Sequence, residues 1–340
     1  MQWAYNLRVF AIFMVVVIHV TAGYVTFADT NPSFYGSTLW WSANILDSFS
    51  RWSVPVFVML SGYFLINGTD STISFYKKRM TRILIPVLAW TMIYITWTIF
   101  KSYIKGDITL GVITSIKQLL AGKPYYHMWF LYMIPFLYII TPFLRKIIAK
   151  SSDNEVTILI VICSALPLIN LIYNNVVGME NNKPQFFMIT FLNYIGYFVI
   201  GGVFRAKKTE KLCMCTIFTL ISLIITAILA YKFGRVYFYD YLSLNVFISS
   251  VLIFAICSSI NGGESLLSKK LASLTLGVYL IHPIFIELYS YLLRHLLKIN
   301  AFSIVYMLFM IVVVFASSLA ASLIISKLRK LRLSGPQLPI

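Results

Sequence analysis

Charge is what this chain has least of. Of 340 residues only 11% are Asp, Glu, Lys or Arg, and acidic side chains are the scarcer sign, 11 against 28 basic ones. Soluble domains carry about 25% charged and about 45–50% apolar residues. A chain with 59% hydrophobic residues and a mean hydropathy of +0.83 belongs instead in a bilayer. Cysteine is nearly absent, with four in all. Cys163 and Cys257 fall inside apolar stretches and Cys213 and Cys215 begin another. A Cys-x-Cys pair with no further Cys or His nearby reads as small apolar helix residues, so neither a disulfide framework nor a metal site is expected. No soluble domain is expected either, because the longest polar connections are Ala28–Arg51 and Lys105–His127.

Long apolar runs are what the chain has in quantity. About 18–25 apolar residues cross roughly 30 Å of hydrocarbon as a helix. Ten such spans are read: Leu7–Phe27, Trp52–Ile66, Ile83–Tyr103, Trp129–Ile148, Val156–Tyr173, Phe186–Phe204, Leu212–Tyr231, Leu242–Ile260, Leu271–Leu293 and Phe302–Ser326. The fold class is thus an all-α integral membrane bundle, with residues 1–330 as one transmembrane domain and 331–340 as a short tail. Cytoplasmic loops retain Lys and Arg. An inward N-terminus puts most basic residues on that side: Arg8, Lys77, Lys78, Arg79, Arg82, Arg145, Lys146, Lys150, Arg205, Lys207, Lys208, Lys211, Lys269, Lys270, Lys327, Arg329, Lys330 and Arg332. Both termini are therefore expected in the cytoplasm. Anchoring and attraction to anionic lipid account for the net charge of +17, and a nucleic-acid partner is not called for. The first span exceeds the 7–15 apolar residues of a signal peptide and is followed by no clear small-x-small cleavage site, so it is expected to stay in the protein. Within Lys105–His127, Ile108, Val112, Ile116 and Leu119 or Leu120 recur at helical spacing, which suggests a helix on the membrane surface.

Two groups interrupt the first span, Arg8 and His19 in "LRVFAIFMVVVIHV". At about 100° per residue, eleven positions make three turns plus about 20°, so the two share a face about 16 Å apart along the axis. A basic residue at a span's end commonly snorkels to the headgroups. An ionisable ring inside a span is costly and marks a functional position or a helix-packing hydrogen bond. A neutral imidazole takes a proton from an attacking hydroxyl, and a guanidinium pairs with phosphate in two-pronged fashion. Together they suit an extended donor with a phosphorylated head, such as an acyl-coenzyme A.

The stretch "NLRVFAIFMVVVIHV" resembles the Arg-x10-His signature of the integral-membrane acyltransferase-3 family. "SRWSVPVFVMLSGYFLI", "FYKKRMTRILIP", "YHMWFLYMIPFLYIITPFLRK" and "LGVYLIHPIFIE" resemble further segments of that family, in its order, so the resemblance covers essentially the whole chain. It is nearest the branch that O-acetylates cell-surface polysaccharides such as enterobacterial common antigen. One departure stands out: Tyr5 and Val9 replace an acidic and a small residue that often flank the arginine.

The resemblance implies that Arg8 and His19 are the pair required for transfer and that Arg79 and Arg82 hold the donor's phosphates, with positive-inside anchoring as the plainer reading. Ser61 and Gly62 of "LSGY" permit close helix packing, or the serine hydroxyl touches the donor. His127 and Trp129 sit in "YHMWF", where an interfacial aromatic belt and acceptor binding are both open. His282 is expected at the depth of His19, either in the active site or as a polar contact beside a kink at Pro283. Glu287 is the only carboxylate placed within a span, orienting a histidine, binding sugar hydroxyls or snorkelling outward. His295 is read as solvated. Phe34, Tyr35, Trp40, Trp41, Tyr125, Tyr126, Tyr237, Phe238 and Tyr239 suit sugar stacking or an interfacial belt.

The expected activity is transfer of an acetyl group from cytosolic acetyl-CoA, with no resident cofactor, to a sugar hydroxyl of a surface glycan or its lipid-linked precursor. The expected location is a bacterial inner membrane. His19 acts as general base or carries the acetyl group covalently. A multi-span flippase or transporter of a glycan precursor is the alternative, although its charges are expected to spread along a path.

Overall fold

The computed structural model describes residues 2–176, 187–204, 212–260, 263 and 265–333. Arg205, Lys207, Lys208, Lys211 and residues 334–340 lie outside the described residues, as do the side chains of His295, Arg329, Lys330 and Arg332. Among the described residues the chain is helical without a strand: α1 (Gln2–Phe27), α2 (Thr38–Ser50), α3 (Ser53–Ile66), α4 (Thr72–Ile104), α5 (Ile108–Leu120), α6 (Trp129–Lys150), α7 (Asp153–Val176), α8 (Ile195–Val203), α9 (Leu212–Phe233), the short α10 (Arg235–Phe238), α11 (Leu244–Ser259), α12 (Leu266–Tyr291) and α13 (Ile304–Leu333). Eight of the described helical segments are long and apolar enough to cross a membrane. The protein is an all-α integral membrane protein.

Eight of the ten expected spans appear at that length, while the sixth and eighth correspond to the shorter apolar segments Phe187–Val203 and Leu244–Ser259. The second differs most. It was expected to begin at Trp52, but α2 precedes α3 with only a tight turn between them, and the combined apolar segment is Thr38–Ile66. The cause is local. Ser37 caps α2, its hydroxyl accepting the Trp40 N–H, so the helix starts well before the apolar run that drew the boundary. Asp47, read as part of a connection, thereby becomes a buried helix residue.

The chain forms two compact units, Met1–Phe57 with Ala206–Ile340, and Val58–Arg205. In the first unit α1 packs against α2, α11, α12 and α13, and α9 against α2 and α11. In the second, α4 packs against α5 and α6, and α7 against α8. Within the second unit glycines set the closest approach. A Cβ on Gly62 would stand 1.9 Å from the Phe198 carbonyl oxygen, and one on Gly201 would stand 1.9 Å from that of Met59. Small residues let helix backbones touch where lipid supplies no hydrophobic drive to pack. The packing role expected of the Ser61–Gly62 pair thus falls on Gly62.

The helix expected in the second long connection is α5, with Asp107 as its cap. Its seating differs from a helix that turns an apolar face to its own protein. Gly111 and Ser115 are its buried residues, Gly111 lying against Ser102 of α4, while Ile108, Val112, Ile116 and Leu120 stay exposed. Arg145, read as a headgroup anchor, is instead spent inside the second unit. Its Nε and Nη2 donate to the Leu65 carbonyl at 2.8 and 2.6 Å, satisfying the C-terminal end of α3.

Replacing Gly201 by Ala forces backbone apart and is expected to cost about 1–3 kcal/mol. Thermal melts in detergent should show an earlier transition; a melting curve superimposable on wild type would refute the tight backbone contact.

Candidate active site

Helix α1 presents Arg8 and His19 on one stripe, and α12 answers both. Arg8 is part-buried and its Nε donates to Thr275 Oγ1 at 3.0 Å. Three turns on, the His19 ring lies 5.0 Å from that of His282, centroid to centroid, with 30° between the planes. Thr275 and His282 are seven residues apart, about two turns, and so share a face of α12. Residue numbers rise together along both helices, which makes α1 and α12 parallel. The first and ninth expected spans require that relation.

His282 is held by a defect in its own helix. Pro283 has no N–H, so the carbonyl four residues earlier, that of Tyr279, loses its regular helical donor. The His282 Nδ1–H supplies the missing proton to Tyr279 O at 2.8 Å and also reaches Val278 O at 3.2 Å. A carbonyl oxygen only accepts, so Nδ1 carries the hydrogen and, in the neutral ring, Nε2 carries the lone pair. Glu287 is part-buried and follows five residues later, about 140° around the helix. The ring is oriented by its own backbone.

A second polar group gathers beyond His19 in the same unit. Asp47 is fully buried on α2, and its Oδ1 accepts from Arg51 Nε at 2.5 Å. Arg51 lies over the Tyr239 ring at 4.3 Å and donates from Nη1 to the Tyr239 carbonyl at 3.3 Å. The Tyr239 hydroxyl donates to Asn44 Oδ1, and Asn44 Nδ2 donates to Ala227 O at 3.0 Å, so one chain of contacts ties α2, α9 and the segment after α10. Asp240 accepts the Leu242 N–H at 2.8 Å; burial pushes its carboxyl pKa up, against that hydrogen bond and Arg51.

The other residues read from sequence separate by unit. Arg79, Arg82, Ser61, His127 and Trp129 all belong to the second unit. There Arg82 is exposed and Arg79 part-buried on α4, and Ser61 is part-buried on α3. His127 is enclosed by its own unit. It is 1% exposed, with Tyr94, Tyr125 and Tyr126 rings around it at 5.1, 5.9 and 5.6 Å. Trp129 packs near Tyr194 at 5.8 Å. In the first unit Tyr35, Trp40, Trp41 and Tyr231 gather in ring contact, Tyr35 stacked on Tyr231, with Trp40 and Tyr239 buried. Among the described residues no cluster of three His, Cys, Asp or Glu side chains suited to a metal ion occurs.

With this geometry in view, comparison with known proteins gives one decisive match: the acyltransferase domain family over residues 2–326. The chain belongs to the acyltransferase-3 family. It is also 24% identical over 355 aligned positions to an amino-acid racemase of Enterococcus faecalis, covering 98% of this chain and 47% of that protein. The chain thus spans about half the length of that curated relative. No solved structure matches.

The stretch that resembles the family's Arg-x10-His signature lies on the α1 stripe, and the "LIHP" stretch carries the Pro283 defect. Sequence reading missed Thr275 as the partner of Arg8, and missed Asp47, Arg51 and Asp240 altogether. The signal for the first two was present in the four-residue spacing of an acid and a base, Asp47 and Arg51, which pairs side chains on a helix. Placing the start of the span at Trp52 hid it.

Pro283→Ala restores a donor that competes for Tyr279 O. Side-chain 15N spectra of labelled histidine, with His282 identified by difference against His282→Gln, should then move from an Nδ1-protonated ring toward mixed tautomers. Unchanged spectra would show that the proline does not set the tautomer.

Proposed function

We propose that the protein is a membrane O-acyltransferase that moves an acetyl group from acetyl-CoA to a sugar hydroxyl of a cell-surface polysaccharide or its lipid-linked precursor. The observation that carries the reading is the pairing of His19 with His282 between two parallel helices, with Arg8 on the His19 stripe. The membership of the family supports acyl transfer. The nearest branch by sequence resemblance supports acetyl and a glycan.

Arg8, its Nε held by Thr275, pairs with a phosphate of the donor. About 16 Å along the helix, His19 takes the proton of the acceptor hydroxyl as its oxygen attacks the thioester carbonyl. The carbon–oxygen bond forms, the carbon–sulfur bond breaks, and the departing thiolate receives the proton. His282 Nε2, facing the same centre with its tautomer set, accepts or relays that proton. In a ping-pong variant His19 first carries the acetyl group itself. We place both termini in the cytoplasm of a bacterial inner membrane, on the distribution of basic residues.

The activity named for the E. faecalis relative belongs to a protein about twice as long and does not set the reaction here. A glycan flippase is the competing class. Against it stands the meeting of the buried His282 ring with the part-buried His19 ring at one level rather than a row of charges along a path.

Membranes containing the protein should release free thiol from acetyl-CoA when acceptor glycan is present. Folded His19→Ala and His282→Ala should each lose about 100-fold or more, the usual scale for a removed acid–base group. Glycans from cells expressing the protein should gain about 42 Da per acetyl. Full transfer by folded His19→Ala would remove it as the base, and no thiol release by wild type would remove acyl transfer itself.

A further inference from the structure

About one turn beyond His19 along α1, the first unit contains a cavity of about 290 Å³ that plays no part in the proposed transfer as described so far. Its α1 wall is Ala22, Val25 and Thr26, three, six and seven residues after His19, a face centred roughly 65° around the helix from the ring. The cavity therefore opens about 4.5 Å further along α1 than the ring, on the side away from Arg8. The opposite walls are Asp47, Arg51, Tyr239 and Asp240.

The lining fixes the chemistry of the occupant. Val25, Val236 and the rings of Tyr239 and Tyr241 give the cavity apolar faces on which a sugar ring can lie, while the four charged side chains among them disfavour an acyl chain. Two carboxylates disfavour a phosphate, and two guanidiniums, Arg51 and Arg235, disfavour a simple cation. Both guanidiniums are already paired, Arg51 with Asp47 and Arg235 with Asp29, so the anionic end of a zwitterion would have to break an ion pair to be held. What fits is a neutral ligand rich in hydroxyls, which carboxylate and guanidinium edges bind without exchanging charge. Asp47 is fully buried, and the Thr21 hydroxyl beside its carboxylate is directed to the Val17 carbonyl at 2.8 Å, so among the described residues Oδ2 has no donor in good hydrogen-bond geometry. Such an acceptor is costly unless something supplies a proton to it. The wall is also preorganised, because Arg51 is held on Tyr239, and Tyr239 on Asn44. The volume lies at the lower limit of the roughly 300–1,000 Å³ typical of small-molecule sites, which is room for one ring and not for a chain.

We propose that this cavity is a sugar subsite that takes one neutral pyranose residue. Resting on the acyl-transfer reading, it is the acceptor subsite, turning one hydroxyl of that residue toward His19. Hydroxyls that donate to Asp47 and Asp240 and accept from Arg51 set which ring position faces the imidazole. Regiospecificity is therefore written in α2 and the segment after α10.

The test uses the full chain in detergent. Saturation-transfer NMR with a panel of neutral methyl glycosides, and with glycine betaine as the zwitterionic contrast, should show transfer to the glycosides only. Ala22→Phe fills the cavity and should abolish that signal. Asp240→Asn keeps the oxygen that caps the Leu242 N–H and should weaken it several-fold, with melting curves as the check on folding. In the transfer assay both variants should raise the acceptor KM at least tenfold more than the acetyl-CoA KM. Glycoside signals that persist in folded Ala22→Phe, signals for betaine alone, or a donor KM that moves instead would overturn the subsite. Sugar binding lost in Ala22→Phe, with no thiol release by wild type, would leave the sugar subsite standing and overturn acyl transfer, so the two failures are distinct.

Discussion

Inside a bilayer every backbone polar group must find its partner within the protein, and the centre of this molecule is organised by one place where the helix fails to provide it. Pro283 removes a donor from α12, and the ring one residue earlier replaces it. A side chain that repairs its own helix has little freedom left: its tautomer and the direction of its second nitrogen follow from the repair. The fixed ring of His282 then meets His19 at 5.0 Å, and the part-buried arginine of α1 finds a hydroxyl two turns earlier on the same face of α12. The cost of a proline in a membrane helix is thus offset by the positioning of an imidazole.

The scarcity of charge acts in the same direction. A buried carboxylate in hydrocarbon survives only when paired, and Asp47 is paired four residues along its own helix with Arg51. Arg51 is in turn immobilised by an aromatic ring and a carbonyl from the segment beyond α10. The ion pair therefore stiffens a polar wall beside the histidines more than it stabilises the fold, since removing either partner would strand the other. Arg145 shows the opposite use of a guanidinium. It closes the end of α3 within the second unit and belongs to architecture.

Much of this was legible in the residues themselves. The class follows from the composition, the shared face of Arg8 and His19 from the helix period, and the equal depth expected for His19 and His282 from counting residues into parallel spans. Three things were not legible, each for a physical reason. The start of α2 is set by a serine cap in a polar stretch, so a hydropathy window centred on the apolar run placed Asp47 outside the helix. The burial of His127 comes from three tyrosines, two adjacent in sequence and one on α4, and only the tertiary arrangement makes them a cage. The contact of α5 with α4 comes from Gly111 and Ser115, small residues that carry weak signals in any hydropathy measure yet decide which face touches α4, while the apolar stripe read from sequence stays exposed as a surface helix requires.

The order of groups along α1 gives the proposed chemistry its direction. Arg8 and His19 lie on one stripe about 16 Å apart, and the Ala22–Thr26 wall of the cavity begins about 4.5 Å further on, beside that stripe. A donor held by its phosphates at the first station must be extended to reach the second, whereas an acceptor in the cavity needs only its own ring to do so. The two substrates then approach His19 from opposite directions along α1 without competing for space. Such an arrangement lets both be bound before the proton moves, and it turns the eleven-residue spacing from a sequence signature into a length requirement on the donor.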